Sequence, residues 1–86
     1  MPEICFTPKF VRLWKKLEPD QQDDVERCIQ KLRENPRMKE LKTHKLTGSL
    51  KGSLSCSVNY QYRIIFEWDD PKTLVLLTVG DHDVYR

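Results

Sequence analysis

The chain has 86 residues, a formal net charge of +2, 33% charged residues and 38% apolar ones. That describes a single small domain over residues 1–86 with a thin stability margin, and it excludes a disordered chain. No apolar run approaches the roughly 20 residues that span a bilayer, and no basic segment followed by an apolar one opens the chain, so neither a membrane contact nor a signal peptide is expected.

Glu3–Thr7 alternates, with Ile4 and Phe6 on one side, and reads as a short strand. Thr7-Pro8 then forms a helix start: an N-cap hydroxyl followed by proline at the first helical position. Phe10, Leu13, Trp14 and Leu17 recur at the spacing of one helical face. Pro19 restarts the chain into a second helix with the apolar face Val25, Cys28, Ile29 and Leu32, and Asn35-Pro36 stops it. The short connection makes the two an αα-hairpin.

From Lys42 onward the period becomes extended. The segment "HKLTGSLKG" is a candidate strand bent at Gly48 and Gly52. Leu54, Cys56 and Val58 alternate with serines, and Tyr62–Trp68 and Thr73–Val79 are dense in β-branched and apolar residues. Asp69 to Lys72 reads as a turn. Side-chain parity sets the register: Val58 opposite Tyr62, Cys56 opposite Ile64, Leu54 opposite Phe66 and Ser57 opposite Arg63. Carried through the turn, it places Trp68 opposite Thr73 and Arg63 opposite Thr78. The helices must cover the more apolar face. The other face then carries Ser55, Ser57, Arg63 and Thr78, with Ile65 and Leu76 further along, and one polar end of it stays open. The expected fold is therefore α+β: an N-terminal strand, an αα-hairpin, then a twisted antiparallel sheet of three to four strands. Phe10, Trp14 and Trp68 are expected in the core.

Cys5, Cys28 and Cys56 are widely spaced and contain no CxxC pair. Neither a disulfide framework nor a zinc site is expected, and the default is buried thiols in a reducing cytoplasm. Charge is unevenly spread. Glu18 to Glu26 holds Glu18, Asp20, Asp23, Asp24 and Glu26 with no basic residue. Arg37 to Lys51 holds Arg37, Lys39, Lys42, Lys45 and Lys51 against Glu40 alone, with His44 among them. Such a stripe suits a polyanion such as RNA, or it is simply a solvated face.

The order Leu46, Gly48, Lys51-Gly52, then Tyr62-Arg63-Ile64-Ile65-Phe66, then Val79-Gly80 followed by His82 and Val84-Tyr85, after a helical hairpin, resembles the RelE/ParE superfamily of bacterial toxins. The resemblance covers nearly the whole chain and implies a RelE-like β-α-α-β-β-β fold. It also implies a toxin of a type II toxin–antitoxin module held by a cognate antitoxin, for which the acidic Glu18–Glu26 stretch would suit a basic segment. In the RelE-like and YafQ-like branches such toxins cut mRNA, usually on the ribosome. The terminal Gly-x-His resembles the YafQ-like branch, where the histidine is the general acid. His44 ahead of Leu46-x-Gly48 is similar to a catalytic histidine of that branch. Arg63 resembles a phosphate-contacting arginine, and Tyr85 a C-terminal tyrosine, of the RelE-like branch. The chain departs from the YafQ-like pattern at Ser57, where a histidine is expected, and at Gln61, near an expected aspartate.

RNA carries its own nucleophile, the 2′-OH, so a cut without metal or cofactor needs a base, a cation beside the non-bridging oxygens and an acid for the leaving 5′-oxygen. Histidine suits both proton steps near neutrality. On this reading His82 is the acid, and the flanking Asp81 and Asp83 would favour its protonated form. His44 is a base or an RNA contact. Arg63 either stabilises developing negative charge or pairs with Glu67 or a helix acid. Tyr85 stacks on a base or closes the core. Lys42, Lys45, Lys51, Arg86 and Ser57 are candidate RNA contacts. Two other readings use the same resemblance: a ParE-like gyrase poison without nuclease activity, and a degenerate toxin that only binds its antitoxin.

Overall fold

The computed structural model describes residues 1–48 and 52–81. Strand β1 (Glu3–Phe6) leads into helices α1 (Pro8–Lys15) and α2 (Pro19–Glu34) and a short 3-10 turn at Lys39–Leu41. Strands β2 (His44–Lys45), β3 (Leu54–Ser57), β4 (Arg63–Asp70) and β5 (Thr73–Gly80) follow.

Both helices begin at their prolines. Thr7 Oγ1 accepts a hydrogen bond from the Phe10 amide at 3.1 Å, satisfying one of the orphan donors of the first turn. α1 stops two residues short of Leu17. Its end is closed by the Leu17 amide bonding the Trp14 carbonyl at 3.1 Å and by Gln22 Nε2 donating to the same oxygen at 3.0 Å. α2 buries Val25, Cys28, Ile29 and Leu32 and ends at Asn35, whose backbone is extended ahead of Pro36. Asp20 in its first turn and Lys31 and Arg33 in its last match the helix dipole.

The sheet has five strands in the order β1-β5-β4-β3-β2: β2 to β5 are the antiparallel strands expected, and the N-terminal strand β1 joins them in parallel, which makes the sheet mixed. β1 runs parallel to β5, from Glu3 beside Thr73 to Phe6 beside Leu76. Parallel neighbours need a long crossover, and alternation within Glu3–Thr7 reveals a strand without revealing its partner. Thr7 fastens the junction: its amide bonds the Leu76 carbonyl at 3.2 Å, and its hydroxyl lies 3.0 Å from the carbonyls of both Leu76 and Leu77. Of the "HKLTGSLKG" segment, only His44–Lys45 is strand among the described residues. Gly48 and Gly52, at φ +70° and +97°, make the expected bends.

The β3–β4 register is the one parity predicts: Leu54 with Phe66, Cys56 with Ile64, Ser57 with Arg63. The Val58 amide bonds the Tyr62 carbonyl at 3.0 Å at the end of the ladder. The β4–β5 register differs. Trp68 pairs with Leu74 rather than Thr73, and Arg63 with Gly80 rather than Thr78, with irregularities between Ile65 and Phe66 and between Trp68 and Asp70. The strand continues through Asp69 and Asp70, and the turn is Pro71-Lys72, held by the Lys72 amide donating to Asp70 Oδ1 at 2.8 Å. A β-bulge shifts parity. Leu76, expected on the far face, therefore pairs with Phe66 and enters the core, whereas Thr78 opposite Ile65 stays on Arg63's side.

One cluster joins Phe10, Val25, Cys28, Ile29 and Leu32 from the helices to Leu41, Cys56, Ile64, Phe66, Leu74, Leu76 and Val79. Trp14 packs against it. Trp68 does not follow the expectation and is 43% exposed. β3 begins at Leu54 opposite Phe66, so no described strand residue flanks the indole on that side.

Candidate active site

Paired residues on neighbouring strands point the same way, and positions two apart repeat the direction. His44 pairs with Ser55, Ser57 with Arg63, Ile65 with Thr78 and Arg63 with Gly80. All share the sheet face turned away from the helices. His44 and Arg63 are offset by two strand spacings of about 4.8 Å and by about 6.8 Å along the strands, a span that admits a phosphodiester between two long side chains. The middle of this face is closed, not open: Ser55 and Ile65 are 0% and 1% exposed. The open end lies at Ser57 and Arg63.

There the surface sinks into a cleft of about 610 Å3 whose lining includes Lys42, His44, Ser57, Asn59, Tyr60 and Arg63, together with Lys31, Glu40 and Val58. The cleft thus gathers Lys42, His44, Ser57 and Arg63 from three separate segments. Lys45, next to His44 on β2, does not line it. Lys51, His82, Tyr85 and Arg86 lie outside the described residues. Gly80, two positions before His82 in the sequence, is the residue paired with Arg63.

Arg63 Nη1 donates to the carbonyls of Asn59 at 2.8 Å and Tyr62 at 3.0 Å. Neither Glu67 nor a helix acid is its partner: Glu67 instead accepts from Ser53 Oγ at 3.4 Å. Two carbonyls saturate one nitrogen of the guanidinium, and the fork has three further N–H groups to present. No carboxylate pairs with it among the described residues.

His44 is exposed, and its Nδ1 lies 3.2 Å from the Lys42 carbonyl. A carbonyl can only accept, so Nδ1 carries hydrogen in this contact. In the neutral ring Nε2 then holds the lone pair a general base requires. The carbonyl is turned into place by Lys42 itself, which adopts the left-handed conformation (φ 51°, ψ 40°) that β-carbon-bearing residues seldom take. Glu40, which also lines the cleft, lies 3.9 Å from Lys31 Nζ.

Five lining residues, Lys31, Glu40, Val58, Asn59 and Tyr60, were not named as site residues from sequence. Tyr60 is 90% exposed at the turn between β3 and β4, and an aromatic ring in a polar turn was its signal. Asn59 begins that turn. Its Oδ1 accepts from the amides of Gln61 and Tyr62, both at 2.8 Å, and its Nδ2 reaches Gln21 Oε1 and Asp24 Oδ2 on α2, both at 2.9 Å. An asparagine between two strands marks a turn, but nothing local announces its helix partners. The Asn59 amide holds the Asp24 carboxyl below its ordinary range, and Arg27 adds to this against the opposing effect of burial.

Behind Ser57 the Cys28 and Cys56 sulfurs lie 3.7 Å apart and unbonded, and Cys28 Sγ is 3.7 Å from the Ser57 carbonyl. The Cys28 thiol and burial together push the Cys56 thiol far upward, which leaves it unreactive. Cys5, by contrast, is exposed. Among the described residues no group of three or more His, Cys, Asp or Glu side chains could hold a metal ion, and no helix is long and apolar enough to cross a membrane.

Comparison with known proteins gives one family and one fold. The family model of the ParE-like toxins of type II bacterial toxin–antitoxin systems matches residues 4–86. No curated protein matches significantly. Among solved structures, YafQ from E. coli strain BL21(DE3) superposes with a TM-score of 0.80 at 19% identity, covering 98% of this chain and 97% of that one. The E. coli DinJ–YafQ toxin–antitoxin complex gives 0.76 at 20% identity, covering 96% and 94%. The YoeB–YefM complex from Staphylococcus aureus gives 0.74 at 17% identity, covering 95% and 98%.

Proposed function

As the chain belongs to the ParE-like toxins of type II bacterial toxin–antitoxin systems, we propose that it is an endoribonuclease that cuts mRNA on the ribosome in the cytoplasm until a cognate antitoxin binds it. The observation that carries this reading is the cleft in which His44, Ser57 and Arg63, on one sheet face, meet Lys42 from the preceding turn. The toxin–antitoxin complexes among the structural relatives support the antitoxin partner.

The chemistry is an in-line transesterification. His44 Nε2 takes the proton of a 2′-OH, and the oxygen attacks the adjacent phosphorus. The bond to the 5′-oxygen breaks as His82 supplies that oxygen with a proton. The products are a 2′,3′-cyclic phosphate and a 5′-OH. Arg63 faces the non-bridging oxygens, where charge grows in the transition state. Lys42, Lys51 and Arg86 hold the flanking phosphates, the Ser57 oxygen, its own hydrogen on the Asn59 carbonyl, accepts from a ribose hydroxyl, and Tyr85 stacks on an unpaired base. Each well-placed proton transfer contributes roughly 10²–10⁴-fold.

Primer extension of transcripts after induction tests this, with wild type beside His44→Ala, Arg63→Ala and His82→Ala. New 5′ ends that fade in the variants are expected, together with cyclic-phosphate 3′ ends from programmed ribosomes and few from naked mRNA. Intact transcripts with protein-linked DNA breaks would instead identify a gyrase poison. Normal growth without antitoxin would identify a degenerate toxin.

A further inference from the structure

Taking the nuclease reading as its basis, we propose that Asn59 is a positioning residue that fixes the Arg63 guanidinium and the Ser57 hydroxyl in the cleft and anchors both to α2. Every polar site of this residue's side chain is used. Oδ1 takes the two turn amides of Gln61 and Tyr62, and the two hydrogens of Nδ2 go to Gln21 and Asp24. Backbone amides can only donate and a carboxylate can only accept, so the oxygen and nitrogen ends of the amide are assigned by their partners.

The carbonyl of the same residue accepts from Ser57 Oγ at 2.9 Å and from Arg63 Nη1 at 2.8 Å. The second carbonyl on Arg63, that of Tyr62, belongs to the turn that Asn59 Oδ1 closes. One side chain therefore sets the direction of both acceptors that orient the guanidinium. Without it, the backbone bonds that close the turn among the described residues are the Val58 amide at 3.0 Å and a long Asn59 amide at 3.5 Å, both to the Tyr62 carbonyl. The tie to α2 adds a rigid reference, because the helix is seated in the core through Val25 and Cys28, the residues next to Asp24 and Arg27.

The test uses the full chain and two readouts. In cleavage of mRNA on programmed ribosomes, Asn59→Ala lowers kcat about 10–100-fold, the scale of an ångström-level misplacement, with little change in KM. In the Arg63→Ala background the same substitution adds nothing. The paired exchange Asn59→Asp with Asp24→Asn, which keeps an acceptor on the turn and a donor on the helix, restores most of kcat, whereas Asn59→Asp alone sets two carboxylates together and does not. In 15N spectra, the Arg63 Nε–H resonance, assigned by its loss in Arg63→Lys, moves to the free-arginine position in Asn59→Ala and returns in the exchange. Full activity in Asn59→Ala, an additive loss with Arg63→Ala, or an unmoved resonance overturns the proposal. If wild type cleaves nothing, the nuclease reading falls and the resonance alone decides the positioning claim.

Discussion

Single residues at the cleft act through what their neighbours allow. The Lys42 carbonyl beside His44 Nδ1 leaves Nε2 of the neutral ring as the lone-pair nitrogen that the proposed base would use, and among the described residues two carbonyls occupy only one of the Arg63 nitrogens. Asp24 carries the signature of this network in its titration. Its folded carboxyl titrates below its unfolded value, first because of Asn59 and then because of Arg27. It therefore adds stability above about pH 4, and that contribution disappears as pH falls through the lower, folded value. The stability difference between wild type and Asp24→Asn, measured by thermal melts across a pH series, is expected to shrink steadily below about pH 4. A constant difference across that range would mean that the carboxyl titrates alike in the folded and unfolded chain, against the lowered titration.

At the scale of elements, the junction between α1 and β5 turns on Thr7, through its amide and its hydroxyl. Thr7 caps the helix through the Phe10 amide and meets the Leu76 and Leu77 carbonyls of β5. Thr7→Ala removes the cap and the hydroxyl's contacts with β5 while leaving the Thr7 amide bond to Leu76 in place, and is expected to cost about 1–2 kcal/mol. For a domain of this size each kcal/mol lowers Tm by about 4–8 °C, so differential scanning calorimetry resolves it. Thr7→Ser keeps the oxygen and is expected to recover most of the loss. The β3–β4 turn is the counterpart at the cleft, where Asn59 joins two strands to α2. Both junctions join segments far apart in sequence through a single polar side chain at an element boundary.

The whole molecule has one core on one sheet face and its candidate chemistry on the other. The apolar periods of α1 and α2 predicted which helical residues are buried, and Val25, Cys28, Ile29 and Leu32 are all found there. With so small a domain the margin is narrow, on the order of 5–15 kcal/mol. Leu32→Ala, at a fully buried position, is expected to cost about 2–5 kcal/mol, read by urea denaturation, whereas Leu32→Met is expected to cost under about 1.5 kcal/mol.

Much of this was legible before any coordinates. Helix starts at Thr7-Pro8 and Pro19, the buried helical stripes and the β3–β4 register are set by capping chemistry, periodicity and side-chain parity, and these operate between residues close in sequence. Three features were decided only by the tertiary structure. β1 finds its parallel partner β5 some seventy residues away, and alternation cannot name a distant partner. The bulge between Ile65 and Phe66 carries Leu76 into the core, a change that a strict two-residue period has no means to express. The meeting of His44, Ser57 and Arg63 in one cleft, with Asn59 reaching to Asp24, depends on how the strands and α2 are stacked. Local patterns fix each element because they act within a turn or a strand, and the site forms between elements, where packing alone sets the geometry.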